Sequence, residues 1–191
     1  MEYQTKRTLQ IIKLNSELDR SIKLACEGNR QAQKVLYQRF APKLLSVCRQ
    51  YIEDIYVAED LLVSAFLKIF CHLHTYDQRG SFDAWIRRIT VNECISYIRA
   101  TKKVRFEHVD QYLVASDDAD SHILTDDIQK MIDHLPDGCK MVFNLYAVEG
   151  YKHQEIAEKL QISEGTSKSQ LSYARRLLQQ WVKQSNMEHH G

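Results

Sequence analysis

The sequence predicts an all-α protein built from two small helical domains. Only 6 Gly and 2 Pro occur in 191 residues, too few to turn the many corners of a sandwich or barrel. Apolar residues recur at three- and four-residue steps in block after block, the spacing of a buried helix face. Charge then divides the chain. The formal total is only +1, but residues 1–103 carry +6, residues 104–127 carry −6 and residues 128–191 carry +1. The expected domains are therefore 22–103 and 128–185, joined by an acidic linker over 104–127. That linker contains Ser116-Asp117-Asp118-Ala119-Asp120-Ser121. Such a run is ordinarily a solvated connector. It also has the composition of a polyanion mimic that occupies a groove built for nucleic acid.

Hydrophobic residues make up 44% and charged residues 27% of the chain, the balance of an ordinary globular protein rather than a disordered one. No run of eighteen apolar residues exists, so no transmembrane helix is expected. The first residues, Met1 to Arg7, lack the apolar stretch of a secretory signal, and the expected location is the cytoplasm. Five isolated cysteines, Cys26, Cys48, Cys71, Cys94 and Cys139, suit reduced thiols used as small core residues. Cys71-His72-x-His74 lacks a fourth ligand at structural zinc spacing, so no metal is expected. Neither a Gly-rich phosphate loop nor triad spacing is visible, and the expectation is a non-enzyme without cofactor or small-molecule substrate.

The first long pattern starts at Arg30 and places Ala32, Val35, Leu36, Phe40, Leu44 and Val47 at helical spacing. Pro42 inside it predicts a kink or a break. The second starts near Val57, with Ala58, Leu61, Leu62, Ala65, Phe66, Ile69, Phe70 and Leu73 as one wide apolar stripe. Its other side aligns Val63, Leu67 and Cys71 beside Asp60, Ser64 and Lys68. A second, mixed row of this kind either docks a partner or is buried by the domain itself. A polar loop, Tyr76 to Phe82, follows. It leads into a helix over 83–103, capped by Ser81 or Asp83. Val91, Cys94, Ile95 and Ile98 form its core row. Trp85, Arg88, Ile89, Asn92, Ser96, Arg99 and Lys103 form the other. Aromatic, amide, hydroxyl and cationic groups in one row suit a phosphate backbone and an exposed base. The same row also suits a solvated helix face.

Residues 128–185 read as four helices. Ile128, Met131, Ile132 and Leu135 mark the first, stopped by Pro136-Asp137-Gly138. Met141, Val142, Leu145 and Tyr146 mark the second, ended at Gly150. His153 to Leu160 is the third. A short turn, Gln161-Ile162, precedes Ser163 as the cap of the last. Ala157 is small where two helices would cross, Ile162 plugs the turn, and Leu171, Ala174, Leu178 and Trp181 face inward. This is the spacing of a DNA-binding helix-turn-helix, although a helical hairpin for protein contact would share it. The outward row holds Gly165, Ser169, Ser172, Tyr173 and Arg176, flanked by Thr166, Lys168 and Arg175. Short polar groups near the N-terminus of such a helix enter the major groove, and cations further along hold phosphates.

Taken together, these blocks resemble the extracytoplasmic-function (ECF) sigma factors of bacterial RNA polymerase. The resemblance is carried by Gly28-Asn29-Arg30-Gln31-Ala32, Leu36 to Phe40, Ala58-Glu59-Asp60-Leu61-Leu62 and Phe66 to Phe70. It continues through Arg79-Gly80-Ser81-Phe82-x-x-Trp85-Ile86-x-x-Ile89, Leu135-Pro136, Gln154-Glu155-Ile156-Ala157 and Ser163-Glu164-Gly165-Thr166-x-Lys168-Ser169. It implies a function in directing core polymerase to promoters and roles for the rows above. Asp60, Val63, Ser64, Leu67 and Lys68 become the core-polymerase surface. Arg79, Gly80, Ser81, Phe82, Trp85, Arg88, Asn92, Ser96, Arg99 and Lys103 become the part that melts and holds the −10 element. Gly165, Thr166, Lys168, Ser169, Ser172, Tyr173, Arg175 and Arg176 become the −35 reader. An anti-sigma partner, usually membrane-tethered, is implied as well.

The chain departs from the family pattern at identifiable places. Val63 and Ser64 stand where Gln and an acid are usual, which makes the docking row more apolar. Gln161 stands where the helix-turn-helix corner usually has Gly, at a cost of about 1 kcal/mol if the backbone there is left-handed. Lys152 replaces the usual Ser or Thr cap. Arg is common at the positions of Gln170 and Tyr173. Without the resemblance, a stand-alone helix-turn-helix regulator or a protein-binding helical adaptor would fit the same residues, but neither uses both the Val63/Leu67 face and the Trp85 row.

Overall fold

The structure is a computed structural model. It describes residues 17–77, 79–101 and 125–188, the last segment with side chains from 128 to 185. Among the described residues all regular structure is helical, and compactness divides them between Cys94 and Ile95, inside a helix that is itself continuous. Lys103 and the acidic run 116–121 lie outside the described residues, as does the expected linker up to residue 124.

In the N-terminal unit, α1 covers residues 17–26. It ends at Gly28, whose φ of +83° is the left-handed conformation that terminates a helix at low cost in glycine. α2 (Arg30–Arg49) follows at once because the Asn29 side chain accepts from the Ala32 N–H at 3.0 Å. Of the kink or break expected at Pro42, there is no break: α2 runs on through it. An interior proline costs about 3 kcal/mol. Here Leu36, Phe40, Leu44 and Val47 are buried on both sides of it, and burial worth about 1.5–3 kcal/mol for each such side chain offsets the loss. Val35, expected in the apolar face, is instead exposed.

α3 (Ile55–His72) is capped by Asp54, which accepts from the N–H groups of Tyr56 at 2.9 Å and Val57 at 3.3 Å. Its predicted stripe is buried from Ala58 to Leu73, with Phe70 half-buried. A 3₁₀ turn (Leu73–Thr75) leads to α4 (Phe82–Thr101). Ser81 is the cap, its Oγ accepting from the Ala84 N–H at 3.1 Å. The core row Val91, Cys94, Ile95 and Ile98 is buried as expected, joined by Phe82, Ile86 and Thr90. Cys48 and Cys94, both fully buried, share a thiol hydrogen bond that, with burial, keeps the Cys94 thiol protonated. The core role expected of all five cysteines holds for Cys48, Cys94 and Cys139, whereas Cys26 and Cys71 are exposed.

In the C-terminal unit, α5 (Thr125–Asp133) and α6 (Asp137–Phe143) precede a π-helical turn (Asn144–Val148). Pro136-Asp137-Gly138 follows the end of α5 as expected and also opens α6, with Pro136 as its N-cap. α7 (His153–Leu160) and α8 (Glu164–Glu188) complete the unit. Leu135, Cys139 and Ala174 form a core cluster, with Ile132, Phe143, Leu177, Leu178 and Trp181 packed around it.

Candidate functional site

Three surfaces gather the residues singled out in the sequence. On α3, Val63 is 51% and Leu67 63% exposed, and Cys71 is exposed too. Burial of this row by its own domain is therefore excluded. Tyr56, 76% exposed, extends the row by one turn, because positions 56, 60, 63, 67 and 71 are separated by steps of three or four, the spacing of one helix face. The sequence reading missed it by starting the helix at Val57. Asp60 is exposed and Ser64 half-buried. Lys68 is held by Glu93 of α4 in an ion pair, so it borders the row with its charge already partnered.

The second surface surrounds the loop before α4. Phe40, Tyr76, Phe82 and Trp85 form one aromatic cluster. Phe82 meets Phe40 edge-on at 5.4 Å and Tyr76 at 5.2 Å, and lies 5.8 Å from a near-parallel Trp85. Tyr76 and Trp85 are 5.5 Å apart. Phe82 is only 5% exposed. It cannot present its ring to a ligand, and the role the resemblance gave it becomes that of the packing centre that fixes Tyr76 and Trp85. The Tyr76 hydroxyl donates to the Gly80 carbonyl at 2.7 Å, while burial and the carboxylates of Asp19 and Asp77 push its ionisation upward, so it stays a neutral donor. Asp77 accepts from the Arg79 N–H at 3.1 Å and lies 3.4 Å from its Nε. The loop is thus tied at both ends, with Arg79 and Gly80 exposed. Along α4, Trp85 and Asn92 are half-buried and Arg88, Ser96 and Arg99 exposed.

The third surface is built by α7 and α8. Gln161 at the corner has φ 57° and ψ 43°, the left-handed conformation anticipated there. Lys152 starts α7 with half of a capping box. A lysine side chain has no acceptor, so only the return bond forms, from the Lys152 N–H to Glu155 Oε2 at 2.8 Å. Ser163 caps α8, accepting from the Thr166 N–H at 2.9 Å. Gly165, Lys168 and Arg175 are exposed, and Thr166, Ser169, Ser172 and Arg176 half-buried. Lys168 pairs with Glu164 at 2.7 Å, and this contact lowers the Glu164 carboxyl below its usual range.

Two predicted features of α8 differ. Tyr173 packs against the Leu135–Cys139–Ala174 cluster, and the Arg176 guanidinium lies 4.9 Å over its ring. Tyr173 therefore supports Arg176 from the edge of the core rather than standing clear on the reading face. Gln170 is 2% exposed and accepts from the Cys139 thiol at 2.9 Å. Where an arginine is common, this chain has a buried polar clamp. No cluster of metal-ligand residues occurs among the described residues. None of the helices searched there is long and apolar enough to cross a membrane.

Family comparisons agree with this geometry. Residues 36–104 match the family Sigma-70 region 2, and residues 125–178 match Sigma-70, region 4. The RNA polymerase sigma factor SigZ of Bacillus subtilis is 31% identical over 149 residues, covering 76% of this chain and 84% of that one. The chain belongs to the ECF sigma factors. It is a sigma factor that directs promoter-specific initiation of transcription. The ECF sigma factor SigW of Bacillus subtilis is 24% identical, with 87% of this chain and 97% of that one aligned. The ECF sigma factor SigE of Mycolicibacterium smegmatis is 28% identical over 139 residues. The match covers 69% of this chain but spans about half, 54%, of that longer relative. Among solved structures, the sigma factor RpoE of Bartonella quintana, crystallised with the anti-sigma factor NepR, is 24% identical. It has a TM-score of 0.46 and covers 78% of this chain and 96% of that one.

Proposed function

We propose that the three surfaces divide the work of this sigma factor. The row Tyr56, Asp60, Val63, Ser64 and Leu67, bordered by Lys68, docks on core polymerase. The Tyr76–Ser81 loop and the Trp85, Arg88, Asn92, Ser96 and Arg99 row of α4 capture the melted −10 strand. Lys103 continues that row in sequence. α8 reads the −35 element with Gly165, Thr166, Lys168, Ser169, Ser172, Arg175 and Arg176. The observation that carries this reading is the pairing of two unlike surfaces in one chain. One is an apolar helix row left more than half exposed at Val63 and Leu67. The other is a helix-turn-helix whose second helix displays cations. An adaptor has no use for the second, and a stand-alone regulator has no use for the first.

The protein acts without catalysis of its own, in the cytoplasm where polymerase is. Unstacking the −10 bases costs a few kcal/mol, offset by base–aromatic contacts worth about 1–3 kcal/mol each. An anti-sigma protein that covers the α3 row would hold the factor inactive. The acidic segment 104–127 suits a linker that mimics a polyanion beside the polymerase.

Transcription in vitro with bacterial core polymerase and fragmented genomic DNA of the source tests the assignment. Discrete starts that require this protein, preceded by two shared motifs at a constant spacing, are expected. Their absence with the source's own core would reject it. Arg176→Ala should then weaken −35-dependent initiation about 3- to 10-fold, the value of one or two phosphate or base contacts, with core binding unchanged. Equal loss of both activities would remove α8 from the −35 role.

A further inference from the structure

Two cations of α8 assigned above to DNA are held in different ways. Lys168 is ion-paired with Glu164 at 2.7 Å, so a phosphate must compete with a carboxylate for it. Arg175 has no carboxylate partner among the described residues. Its guanidinium lies 5.5 Å over the ring of Tyr146 instead, within the reach of a cation–π contact. A ring face attracts a cation through its quadrupole and leaves the positive charge unneutralised. Arg175 is exposed and Tyr146 half-buried. The full charge therefore stands at the surface on a support that is itself partly packed.

Tyr146 lies outside the helix-turn-helix, in the π-helical turn Asn144–Val148. The Glu149 N–H donates to the Asn144 carbonyl at 3.0 Å, the five-residue step of such a turn. Asn144 and Leu145 are buried there. His153, the first residue of α7, stacks with the Tyr146 ring at 4.7 Å and an interplanar angle of 25°. The Nδ1 of His153 lies 2.9 Å from the Oγ of Ser167, a fully buried residue of α8. The contacts thus form a closed circuit. It leaves α8 at Ser167, passes through His153 and Tyr146, and returns to α8 two turns further on at Arg175. An arginine side chain loses rotamer freedom when it grips a ligand. A contact that already restricts it in the free protein reduces that loss.

We propose that Tyr146 is a positioning residue for promoter binding: its ring, stacked with His153, holds the Arg175 guanidinium ready for a DNA phosphate without neutralising it. This rests on the assignment of α8 to the −35 element and adds to it a residue from outside the helix-turn-helix. Tyr146 acts through Arg175 and through the face of its ring. Its hydroxyl takes no part, so phenylalanine should serve as well as tyrosine.

The experiment uses holoenzyme assembled with bacterial core and a fluorescent promoter duplex taken from the mapped start sites. Dissociation constants are measured over a range of salt concentrations. Arg175→Ala should lower affinity and reduce the slope of log affinity against log salt by about 0.9, the signature of one phosphate contact. Tyr146→Leu should lower affinity about 2- to 5-fold, the effect of one exposed cation–π contact. Tyr146→Phe should match the wild type. Tyr146→Met, also apolar and ringless, takes the place of leucine if circular dichroism shows lost helix. The deciding measurement is the loss of the ring in the Arg175→Ala background, where it should cost nothing further. A merely structural tyrosine would cost the same in both backgrounds, and that result overturns the proposal. So does a ringless variant that binds like the wild type, or a Tyr146→Phe variant that binds like Tyr146→Leu. Scrambling the −35 half of the duplex tests the underlying assignment separately. Indifference to the scramble rejects that assignment, whatever the Tyr146 variants do.

Discussion

On the roles proposed for them, the two units present a helix to a large partner by different means. In the N-terminal unit the interior is aliphatic and aromatic, and the functional rows are set by what the core leaves outside. Leu61, Leu62, Ala65, Phe66 and Ile69 go in, so Val63 and Leu67 must face out. In the C-terminal unit α8 packs on the apolar cluster through Ala174, Leu177, Leu178 and Trp181 and adds buried or half-buried polar contacts: Gln170 with Cys139, Ser167 with His153, and Tyr173 beneath Arg176. Apolar burial is non-directional and tolerates changes of side chain that keep volume. Polar contacts fix angles, and each costs more when half is removed than it gains when made. An apolar docking face needs area, whereas a reading helix needs its side chains aligned with base edges to within hydrogen-bond tolerance. The difference in construction follows the difference in task.

The largest effect expected from breaking this contrast is at Leu67. Leu67→Glu places a charge at the centre of the exposed apolar row without touching the core, since Leu67 is 63% exposed. Core-polymerase affinity should fall about 30-fold or more, the loss typical of a central interface anchor. Circular dichroism should be unchanged. Core binding that survives the substitution would show that this row is not the docking face. Trp85→Ala comes next. It removes one partner from the aromatic cluster and should reduce −10 melting, read by permanganate reactivity of unpaired thymines, by about tenfold. Recognition of the −35 element should be unaffected. If −35 recognition falls equally, the two DNA surfaces are not independent and the contrast drawn above is wrong.

How much of this was legible in the sequence follows the same division. Apolar periodicity found the buried faces of α2, α3 and α4 and the outward position of Val63 and Leu67, because exposure in that unit is decided by hydrophobic spacing alone. It also found the helix-turn-helix, while the corner at Gln161 was marked only by the family resemblance, as a place where glycine is usual. Three kinds of feature escaped it. Of the kink or break expected at Pro42, the break does not occur, because tertiary burial outweighs one lost hydrogen bond. Phe82 and Tyr173 fell on rows of functional character, yet ring-on-ring and core contacts draw them inward, and such contacts join residues far apart in the chain. Gln170 and His153 were legible only as departures or as ordinary helix residues. Their partners, Cys139 and Ser167, lie 31 and 14 positions away, and no periodicity marks a polar pair between helices. The residues around the acidic segment keep only their sequence reading.

The smallest expected effect concerns the corner that sets the angle between α7 and α8. Gln161 is the only non-glycine residue with positive φ among the described residues. Its N–H still donates to the Ala157 carbonyl, and the Ile162 N–H reaches the same oxygen at 3.1 Å, so the corner is satisfied in hydrogen bonds and strained only in its backbone. Gln161→Gly removes the Cβ that makes this conformation costly and should stabilise the C-terminal unit by about 1 kcal/mol. Part of that gain is returned through the greater freedom of glycine in the unfolded chain. For a unit of this size 1 kcal/mol corresponds to a rise in Tm of about 4–8 °C, measurable by thermal unfolding. Affinity for −35 DNA should stay the same, because the polar contacts, rather than the corner, hold α8. A stabilised variant with altered −35 affinity would move the source of alignment from Ser167, Gln170 and Tyr173 to the turn itself. An unchanged Tm would mean that glycine's added chain freedom cancels the relief of strain.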